Sequence, residues 1–224
     1  RPNEVTALFG PAGGGKTTLL RALNRLNEAV AGARTEGDVL VDGRSVHAPG
    51  TDVSALRRRV GLVCQQSAPF PTSIFENVAY GLRISGLGNR REIADRVEES
   101  LRAASIWCEV EGRLPAPALS LSSGQQRRLC IARTLALRPE VLLLDEPAAA
   151  LDPIATQRIE DLVGALKGTC TIVIAAHTAQ QAARVSDAAA LLWDGRLVEH
   201  GRTAQIFTAP RERLTEDYVT RRVG

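Results

Sequence analysis

Residues 10–17 read Gly-Pro-Ala-Gly-Gly-Gly-Lys-Thr, and they follow the apolar run Val5–Phe9. This is the pattern G-x-x-x-x-G-K-[ST], placed after a predicted strand and before a predicted helix over Thr18–Leu26. Glycines let the backbone curl so that several N–H groups point at one anion, and the following helix adds its positive dipole end. The stretch therefore predicts a polyphosphate-binding loop. The alternative, a glycine-rich turn with a chance match, is disfavoured by the strand, the lysine and the helix together.

Two side chains of this loop have distinct predicted roles. Lys16 brings a compact positive charge to the β- and γ-phosphates, and the Thr17 hydroxyl is a potential ligand of Mg²⁺. Of the 28 basic residues, only Lys16 and Lys167 are lysine, so the motif holds one of the few compact ammonium groups. The predicted nucleotide-binding residues are Gly10, Pro11, Ala12, Gly13, Gly14, Gly15, Lys16, Thr17 and Thr18.

Length and composition are those of an ordinary globular protein. The 224 residues are 44% hydrophobic and 24% charged, with a formal net charge of +3. The arginines are scattered, including the pair Arg127-Arg128, and we interpret them as solvated faces rather than a nucleic-acid surface. No apolar run reaches the roughly 18 residues of a membrane span, and no signal peptide is visible. Any membrane role is therefore expected to come through a partner.

The four cysteines are Cys64, Cys108, Cys130 and Cys170, and none forms a C-x-x-C pair. This spacing favours neither a metal site nor a disulfide framework, and we expect each cysteine to be a small buried hydrophobe. A cytosolic compartment is the corresponding expectation.

Short apolar runs alternate with helical patterns along the chain. Val39–Val41 is predicted as an antiparallel piece, and Ala188–Trp193 and Leu197–Glu199 are predicted to pair across a hairpin turn at Asp194-Gly195. Between Gln65 and Pro139 the spacing is helical, which indicates an α/β core interrupted by a helical insertion. The predicted buried parallel strands are Val5–Phe9, Val60–Cys64, Val141–Leu144 and Cys170–Ala175, and the predicted helices of the insertion are Ser73–Ile84, Arg90–Ser105 and Ser123–Leu137.

One predicted strand, Val141–Leu144, ends in the two carboxylates Asp145 and Glu146. Open α/β sheets bind ligands at the carboxyl ends of their strands, so both carboxylates are expected near the phosphate-binding loop. Asp145 is then placed to hold Mg²⁺, and Glu146 to orient and deprotonate an attacking water. A strand that ends in Asp-Glu is a modest signal alone, and it becomes strong beside residues 10–17.

Further segments carry a family resemblance. Residues 121–126 read Leu-Ser-Ser-Gly-Gln-Gln before a predicted helix, and residues 145–152 run from Asp-Glu-Pro to Ala-Leu-Asp. These segments resemble the signature loop and the D-loop of ATP-binding cassette (ABC) ATPases. Gln65 and His177, each after a predicted strand, lie where this family has its Q-loop and its H-loop. All the motifs follow one another in family order, and the resemblance runs over the whole chain.

The resemblance implies an α/β fold: a P-loop NTPase core of the RecA-like type, with antiparallel β pieces and an inserted α-helical subdomain. Residues 1–224 would form a single ABC ATPase domain, with the core in 1–65 and 139–224 and the helical signature subdomain in 66–138. The chain starts at Arg1 without any methionine, so we expect an N-terminal piece to be missing. In the family, an aromatic residue of that piece stacks on adenine.

The resemblance also implies ATP and Mg²⁺ as cofactors and a second copy of the chain as a partner, packed head to tail so that each nucleotide lies between two copies. The implied catalytic residues are Glu146, His177, Gln65 and Lys16, and the implied Mg²⁺ ligands are Thr17, Gln65 and Asp145. The implied signature residues, acting from the second copy, are Ser122, Ser123, Gly124 and Gln125, with Asp152 in the D-loop. Ser123 replaces the usual glycine. If that position needs a positive φ, we expect a weakened closed dimer.

Within the family, the resemblance is closest to the ATPase subunit of bacterial phosphate importers. Segments that carry it are Ala22–Asn27, Gly32–Gly37, Pro69–Val78 and Gln181–Asp187. It implies ATP-driven phosphate uptake, integral membrane permease subunits as partners, an indirect phosphate-binding protein, no nucleic acid, and a peripheral position on the cytoplasmic face of the membrane. The predicted permease contact is Pro69-Phe70-Pro71, because two prolines hold a short apolar stretch extended. For Ile74 and Phe75, a place in the core of the helical insertion is as good an interpretation as a permease contact.

Three alternatives stay open at this point. The chain could serve an importer of another solute, such as an amino acid. It could be a regulatory or DNA-repair-type ABC module, although such modules usually carry a long coiled coil where this chain has a short helical insertion. It could also be a degenerate subunit that binds ATP without turnover, which Ser123 favours and which the presence of Glu146 and His177 disfavours.

Overall fold

The computed structural model describes residues 1–66 and 68–222. Ser67, which precedes the predicted permease contact Pro69-Phe70-Pro71, falls outside the described residues. The strands are β1 (Val5–Phe9), β2 (Leu40–Val41), β3 (Arg44–Ser45), β4 (Val60–Val63), β5 (Val141–Asp145), β6 (Thr171–Ala175), β7 (Ala188–Trp193) and β8 (Arg196–Arg202). The α-helices are α1 (Lys16–Leu23), α2 (Val53–Arg59), α3 (Ile74–Ile84), α4 (Arg90–Ala103), α5 (Trp107–Val110), α6 (Ser123–Leu135), α7 (Pro153–Leu166), α8 (Ala179–Val185), α9 (Thr203–Thr208) and α10 (Arg213–Val219). Short 3₁₀ turns cover Leu26–Ala29, Glu111–Arg113 and Ala118–Ser120.

The chain folds into two compact units. The first contains Arg1–Leu62, Glu140–Glu146 and Lys167–Gly224, and the second contains Val63–Pro139 and Pro147–Leu166. This division differs from the predicted boundaries at α7, which the sequence analysis placed in the core. Helix α7 packs on α4 and α6 and therefore groups with the helical unit.

The first unit is built on a six-stranded sheet in the order β4-β5-β6-β1-β7-β8. β1 lies between β6 and β7 and pairs with both in parallel, and β5 pairs with β6 in parallel. β7 and β8 form the predicted antiparallel hairpin, so β7 has one parallel and one antiparallel neighbour. Parallel strands buried on both faces read as continuous apolar runs, which is why their sequences located them to within a residue or so.

The second unit is helical in its described residues, as predicted. Its helices begin at well-formed caps: Ser73 caps α3, Asn89 forms a capping box on α4, and Ser122 forms one on α6. Their apolar faces share one core, in which Ile74 is fully buried and Phe75 packs at the edge. The core interpretation is therefore confirmed for Ile74.

All four cysteines are free thiols, and their environments differ. Cys130 and Cys170 are buried and Cys64 is half-buried, in line with the expectation of small buried hydrophobes. Cys108 is exposed, so the expectation was wrong there. The reason is that α5 is a single turn with only Val110 in the core. In the described part of the chain, no helix has both the length and the apolar character needed to cross a bilayer.

Candidate nucleotide site and signature loop

The phosphate-binding loop joins β1 to α1 through backbone conformations that only glycine adopts easily. Gly10, Gly13 and Gly15 have φ values of +140°, +78° and +99°. A Cβ atom on Gly10 would lie 2.0 Å from the backbone oxygen of Leu192. The loop can therefore approach the β7 backbone this closely only because Gly10 has no side chain.

Helix α1 starts directly from this loop. Its N-cap residue is Gly15, and no side chain in the described residues caps its first turn. The N–H groups of a helix's first turn lack partners within the helix, and the helix dipole places positive charge at the same end. A phosphate group is the ligand that such an end of a helix accepts most readily.

The Lys16 side chain turns back over the loop and is almost completely buried. Its ammonium donates hydrogen bonds to the carbonyl oxygens of Gly10 and Pro11, each at 3.0 Å. The same Nζ lies 3.7 Å from Oε1 of Glu146. The motif lysine and the second strand-end carboxylate are therefore neighbours, as the sequence analysis expected of their elements.

Thr17 and Asp145 form the second contact between the loop and the end of β5. The Thr17 hydroxyl donates to Oδ1 of Asp145 over 2.9 Å. Asp145 is 2% exposed, and burial raises the pKa of this carboxyl, an effect that the nearby charge of Glu146 reinforces and the Thr17 hydrogen bond opposes. The pair offers two hard oxygen ligands, and the positive charges of Arg21 and Lys16 offset the effect of burial on Asp145 only in part.

Glu146 adopts a left-handed backbone conformation, with φ at +44°. A side chain in this region costs about 1–3 kcal/mol and persists where the surroundings hold it. The Glu146 N–H donates to the carbonyl of Ala175 at 3.0 Å, which anchors the strained residue on the end of β6. The turn directs the carboxylate toward His177, whose Nδ1 lies 3.2 Å from Oε2. Glu146 thus lies between Lys16 and His177.

The signature loop lies in the second unit, at the start of α6. Ser122 is the N-cap, and its side chain accepts from the N–H of Gln125, while the Gln125 side chain accepts from the N–H of Ser122 at 2.9 Å. Gly124 is buried against α7, and a Cβ atom on it would lie 2.9 Å from the Cβ of Ala155. Glycine is needed at this position for close helix packing.

Ser123 does not have the positive φ that would make its side chain costly. It is the first residue of α6 and is not among the left-handed residues of the chain. The expected backbone strain, and with it the reason for a weakened closed dimer, is therefore wrong. Serine is well tolerated in the first turn of a helix, where glycine would be less favourable.

Gln65 and Asp152 are also held in the second unit. Gln65 is exposed just after β4, and the Arg127 guanidinium donates to the carbonyl oxygens of Cys64 and Gln65. The Asp152 side chain accepts from the N–H of Ala155 at 2.9 Å and so caps α7. Both side chains belong to short, well-braced turns.

The structure brings Lys16, Thr17, Asp145, Glu146 and His177 together in the first unit, and it places Gln65, Asp152 and the signature residues in the second. Sequence reasoning missed the arginines of α6. It interpreted Arg127-Arg128 as a solvated face, whereas Arg128 is 3% exposed. Their position directly after the signature loop was the available signal.

These features define a class: a P-loop NTPase with a glycine-rich phosphate-binding loop and a strand-end carboxylate pair. The family model described as "ABC transporter" matches residues 1–149, more than half of the chain. The chain therefore belongs to the ABC transporter family, as an ATP-binding domain of that family.

The chain is also similar to solved structures of this family. One is cbiO1 from Clostridium perfringens, part of the ABC transporter complex cbiONQ, with a TM-score of 0.79 and 29% identity over 93% of this chain and 81% of that one. Another is a dimeric post-hydrolysis state of the ATP-binding cassette MJ0796 bound to ADP and Pi, with a TM-score of 0.76 and 29% identity over 91% and 87% of the two chains. A bacterial Atm1-family ABC exporter with ATP bound matches with a TM-score of 0.78 and 30% identity over 100% of this chain and 37% of that one.

Proposed function

We propose that this chain is the ATP-hydrolysing subunit of an ABC importer that takes up inorganic phosphate through a membrane permease. The observation that carries the ATPase proposal is the position of Glu146 between the buried Lys16 ammonium and His177. Import of phosphate rests on the sequence resemblance of segments such as Pro69–Val78. The relatives with solved structures include both a cbiONQ component and an exporter, so solute and direction are matters for experiment.

ATP would bind with its phosphates in the loop 10–18. The curled glycine backbone and the first turn of α1 supply N–H donors, and Lys16 supplies the positive charge. In the structure the ammonium is bound by the carbonyls of Gly10 and Pro11. Phosphate oxygens would take up its remaining hydrogen-bonding capacity, and the burial of Lys16 would strengthen the attraction between its charge and the β- and γ-phosphates.

The donor set at Thr17 and Asp145 fits Mg²⁺. The ion prefers oxygen ligands and is usually held by one or two protein groups together with substrate phosphates. For the buried Asp145 carboxylate, whose pKa burial raises, a bound cation would complete the charge compensation that Arg21 and Lys16 supply only in part. Thr17, Asp145 and Gln65 are the proposed ligands. A bound Mg²⁺ would neutralise charge that develops on the phosphate oxygens.

Hydrolysis then needs a base and an orienting group. Glu146 would accept the proton of the attacking water as the water oxygen bonds to the γ-phosphorus and the bond to ADP breaks. His177, 3.2 Å from the Glu146 carboxylate, would hold the γ-phosphate and the water in line. The strained backbone of Glu146 aims the carboxylate, which is a reason for a left-handed glutamate at this point.

A second copy would complete the site. We propose that Ser122, Ser123, Gly124 and Gln125 of one copy receive the γ-phosphate of the other, with Asp152 at the shared interface. The start of α6 has the capped geometry and the positive dipole end that suit an anion. ATP would close the dimer and hydrolysis would reopen it, because only the closed state makes these contacts.

Replacing Glu146 with glutamine tests the base. The amide keeps the shape of the side chain and removes its basicity, so ATP turnover should fall by at least about a hundredfold while ATP still binds. Glu216→Gln, an exposed carboxylate-to-amide change on α10, is the matched control and should hydrolyse ATP normally. Lys16→Ala should instead weaken ATP binding, measured by calorimetry. Turnover of Glu146→Gln near the wild-type rate would show that the base is another group.

Sedimentation of the Glu146→Gln variant tests the shared site. Saturating ATP should convert the chain from monomer to dimer, and Lys16→Ala in the same background should abolish the conversion. A monomer that persists at saturating ATP would contradict the shared-site proposal while leaving the assignment of the base intact.

A further part of the proposal concerns the permease. Asn77 is fully buried and bonds to both backbone groups of Phe70, at 2.8 Å and 3.1 Å, which holds the 69–71 segment in place. The Phe70 ring lies 4.9 Å from the Tyr80 ring, with the Arg133 guanidinium over its face at 4.3 Å. Phe70 and Tyr80 remain 37% and 48% exposed, a braced apolar patch of the kind that contacts a partner.

Phe70→Asp tests this contact. The ATPase rate of the isolated chain should stay near normal, whereas solute uptake should fail in cells that lack the native subunit. Leu197→Asp, at an exposed residue of β8, is the control and should support uptake. Measuring uptake of labelled phosphate and of labelled amino acids in parallel identifies the solute. Normal phosphate uptake with Phe70→Asp would refute the docking role, and uptake of an amino acid alone would refute the phosphate assignment.

A further inference from the structure

An ion cluster built around the buried Arg128 lies beneath the signature loop. Its centre is the carboxylate of Glu109, on the single turn α5. Oε1 of Glu109 accepts from Nη1 of Arg128 at 2.8 Å and from Nη1 of Arg158 at 3.2 Å. Oε2 accepts from Nη2 of Arg128 at 3.1 Å and from the amide of Gln125 at 2.7 Å. One carboxylate therefore joins α5, α6 and α7.

The contact with Gln125 determines which way this side chain faces. Its Nε2 donates to Glu109, so its Oε1 is left to accept from the N–H of Ser122 at 2.9 Å. The reverse orientation would place an amide NH₂ against a backbone N–H and an oxygen against a carboxylate. Glu109 thus selects the rotamer of Gln125 that closes the capping box and orients the peptide groups of Ser122.

The cluster is rigid as well as charged. Arg128 is buried and donates hydrogen bonds to both carboxylate oxygens of Glu109. It also donates to the carbonyl of Ser105, a residue with a left-handed backbone conformation. The Arg128 guanidinium holds the pKa of Glu109 below its usual range, although partial burial acts in the opposite direction, and Gln125 and Arg158 add to the lowering. A two-point arginine–carboxylate contact of this kind has a fixed geometry.

We propose that Glu109 is a positioning residue for the signature loop: through Gln125 it holds the Ser122 and Ser123 backbone in the orientation that receives the γ-phosphate of a second copy. This inference rests on the proposed shared site. Glu109 itself does not touch the nucleotide in this proposal. Its effect should therefore be on closure of the dimer, with the binding of ATP to a single chain unaffected.

Glu109→Gln is the first test, because it keeps the length of the side chain. An amide offers one acceptor oxygen in place of two, so its NH₂ group must face either Arg128 or Gln125, both of which are donors. Hydrogen exchange of the monomer should show faster exchange of the Ser122–Gln125 amides, by about fivefold or more, with unchanged exchange at Leu129–Ile131 in the middle of α6. Glu99→Gln, on α4, weakens surface ion pairs with Arg138 and Arg96; it is the matched control and should change neither segment.

The second test measures closure in a Glu146→Gln background with ATP. Glu109→Gln should raise the dimer dissociation constant by about tenfold or more, the scale of a lost hydrogen bond to a charged group. ATP binding to the monomer should be unchanged. Gln125→Ala should have a similar effect, and the double variant should lose no more than Gln125→Ala alone, because the two residues act in series. Losses that simply add would overturn the role of Gln125 as the intermediary.

The outcomes separate this inference from the proposed function. If Glu146→Gln alone fails to dimerise with ATP, the shared-site proposal fails. Unchanged hydrogen exchange of the Ser122–Gln125 amides in Glu109→Gln would overturn the positioning role, whatever the result for the dimer. Faster exchange with an unchanged dissociation constant would also overturn it. If Glu109→Gln lacks a cooperative thermal transition, Gln125→Ala decides the matter, since it should accelerate exchange of the Ser122 amide in a folded chain.

Discussion

Replacing Gly124 with alanine would place a new methyl group against Ala155 on α7. The added Cβ would lie 2.9 Å from the Cβ of Ala155 and 3.9 Å from its Cα, so the two helices would have to move apart. Overpacking of this kind costs about 1–3 kcal/mol in a close-packed interior. The same substitution favours the helix by up to about 1 kcal/mol, which partly hides the clash in the single variant.

A double-mutant cycle removes this ambiguity. Ala155→Gly alone creates space and costs helix propensity, and the combination Gly124→Ala with Ala155→Gly restores the original set of atoms across the contact. The propensity effects cancel in the cycle, so the coupling free energy should be favourable by about 1–3 kcal/mol. Urea unfolding of the four chains, followed by circular dichroism, measures it. A coupling energy within about 0.5 kcal/mol of zero would refute the claim that Gly124 is required for helix packing.

Three further substitutions have definite expected outcomes. Ser123→Gly should leave the affinity of ATP-driven dimerisation within about twofold of the wild type. It should lower the free energy of unfolding by about 0.5–1 kcal/mol, because the serine is unstrained in the first turn of α6. A large gain in dimer affinity, measured by sedimentation, would show that the Ser123 backbone is strained after all. Asp145→Asn should abolish hydrolysis yet raise the free energy of unfolding by about 1 kcal/mol at neutral pH. Burial raises the pKa of the Asp145 carboxyl in the folded state, so its ionised form disfavours folding. The stability that the variant gains should therefore shrink as the pH falls through the raised pKa. It should vanish below the usual pKa of aspartate, where the carboxyl is protonated in the folded and the unfolded state alike. Asn77→Ala should destabilise the chain by about 1–3 kcal/mol in thermal unfolding, because it removes the acceptor of the Phe70 N–H and one of the two donors to the Phe70 carbonyl. A change below about 0.5 kcal/mol would show that this segment is held by other contacts.

The site residues of the first unit were accessible to sequence reasoning because each follows a buried parallel strand. The loop 10–17 follows β1, Glu146 follows β5, and His177 lies just beyond β6. Such strands are recognised in a sequence as uninterrupted apolar runs, and their carboxyl ends lie at one edge of a sheet. The pattern predicted which residues meet, although the 3.7 Å and 3.2 Å distances around Glu146 required coordinates.

The position of Glu109 could not be predicted in the same way. It lies on a short helix without a motif, and its partners Gln125 and Arg128 are on α6, with Arg158 on α7. A charged residue in a sequence is read as solvated because most charged residues are, and only the packing of three helices reveals that Arg128 is buried and needs a carboxylate. The misread pair Arg127-Arg128 has the same cause.

The sequence by itself determined the buried parallel strands, the main helices of the insertion, the phosphate-binding loop and the membership of the ABC transporter family, because these depend on local periodicity and on short contiguous motifs. Only the tertiary structure decided the conformation of Ser123, the close contact of Gly124 with Ala155 and the ion cluster at Glu109. Each of these depends on atoms that are distant in the chain, and their distances are set when helices pack at a density that leaves no free space.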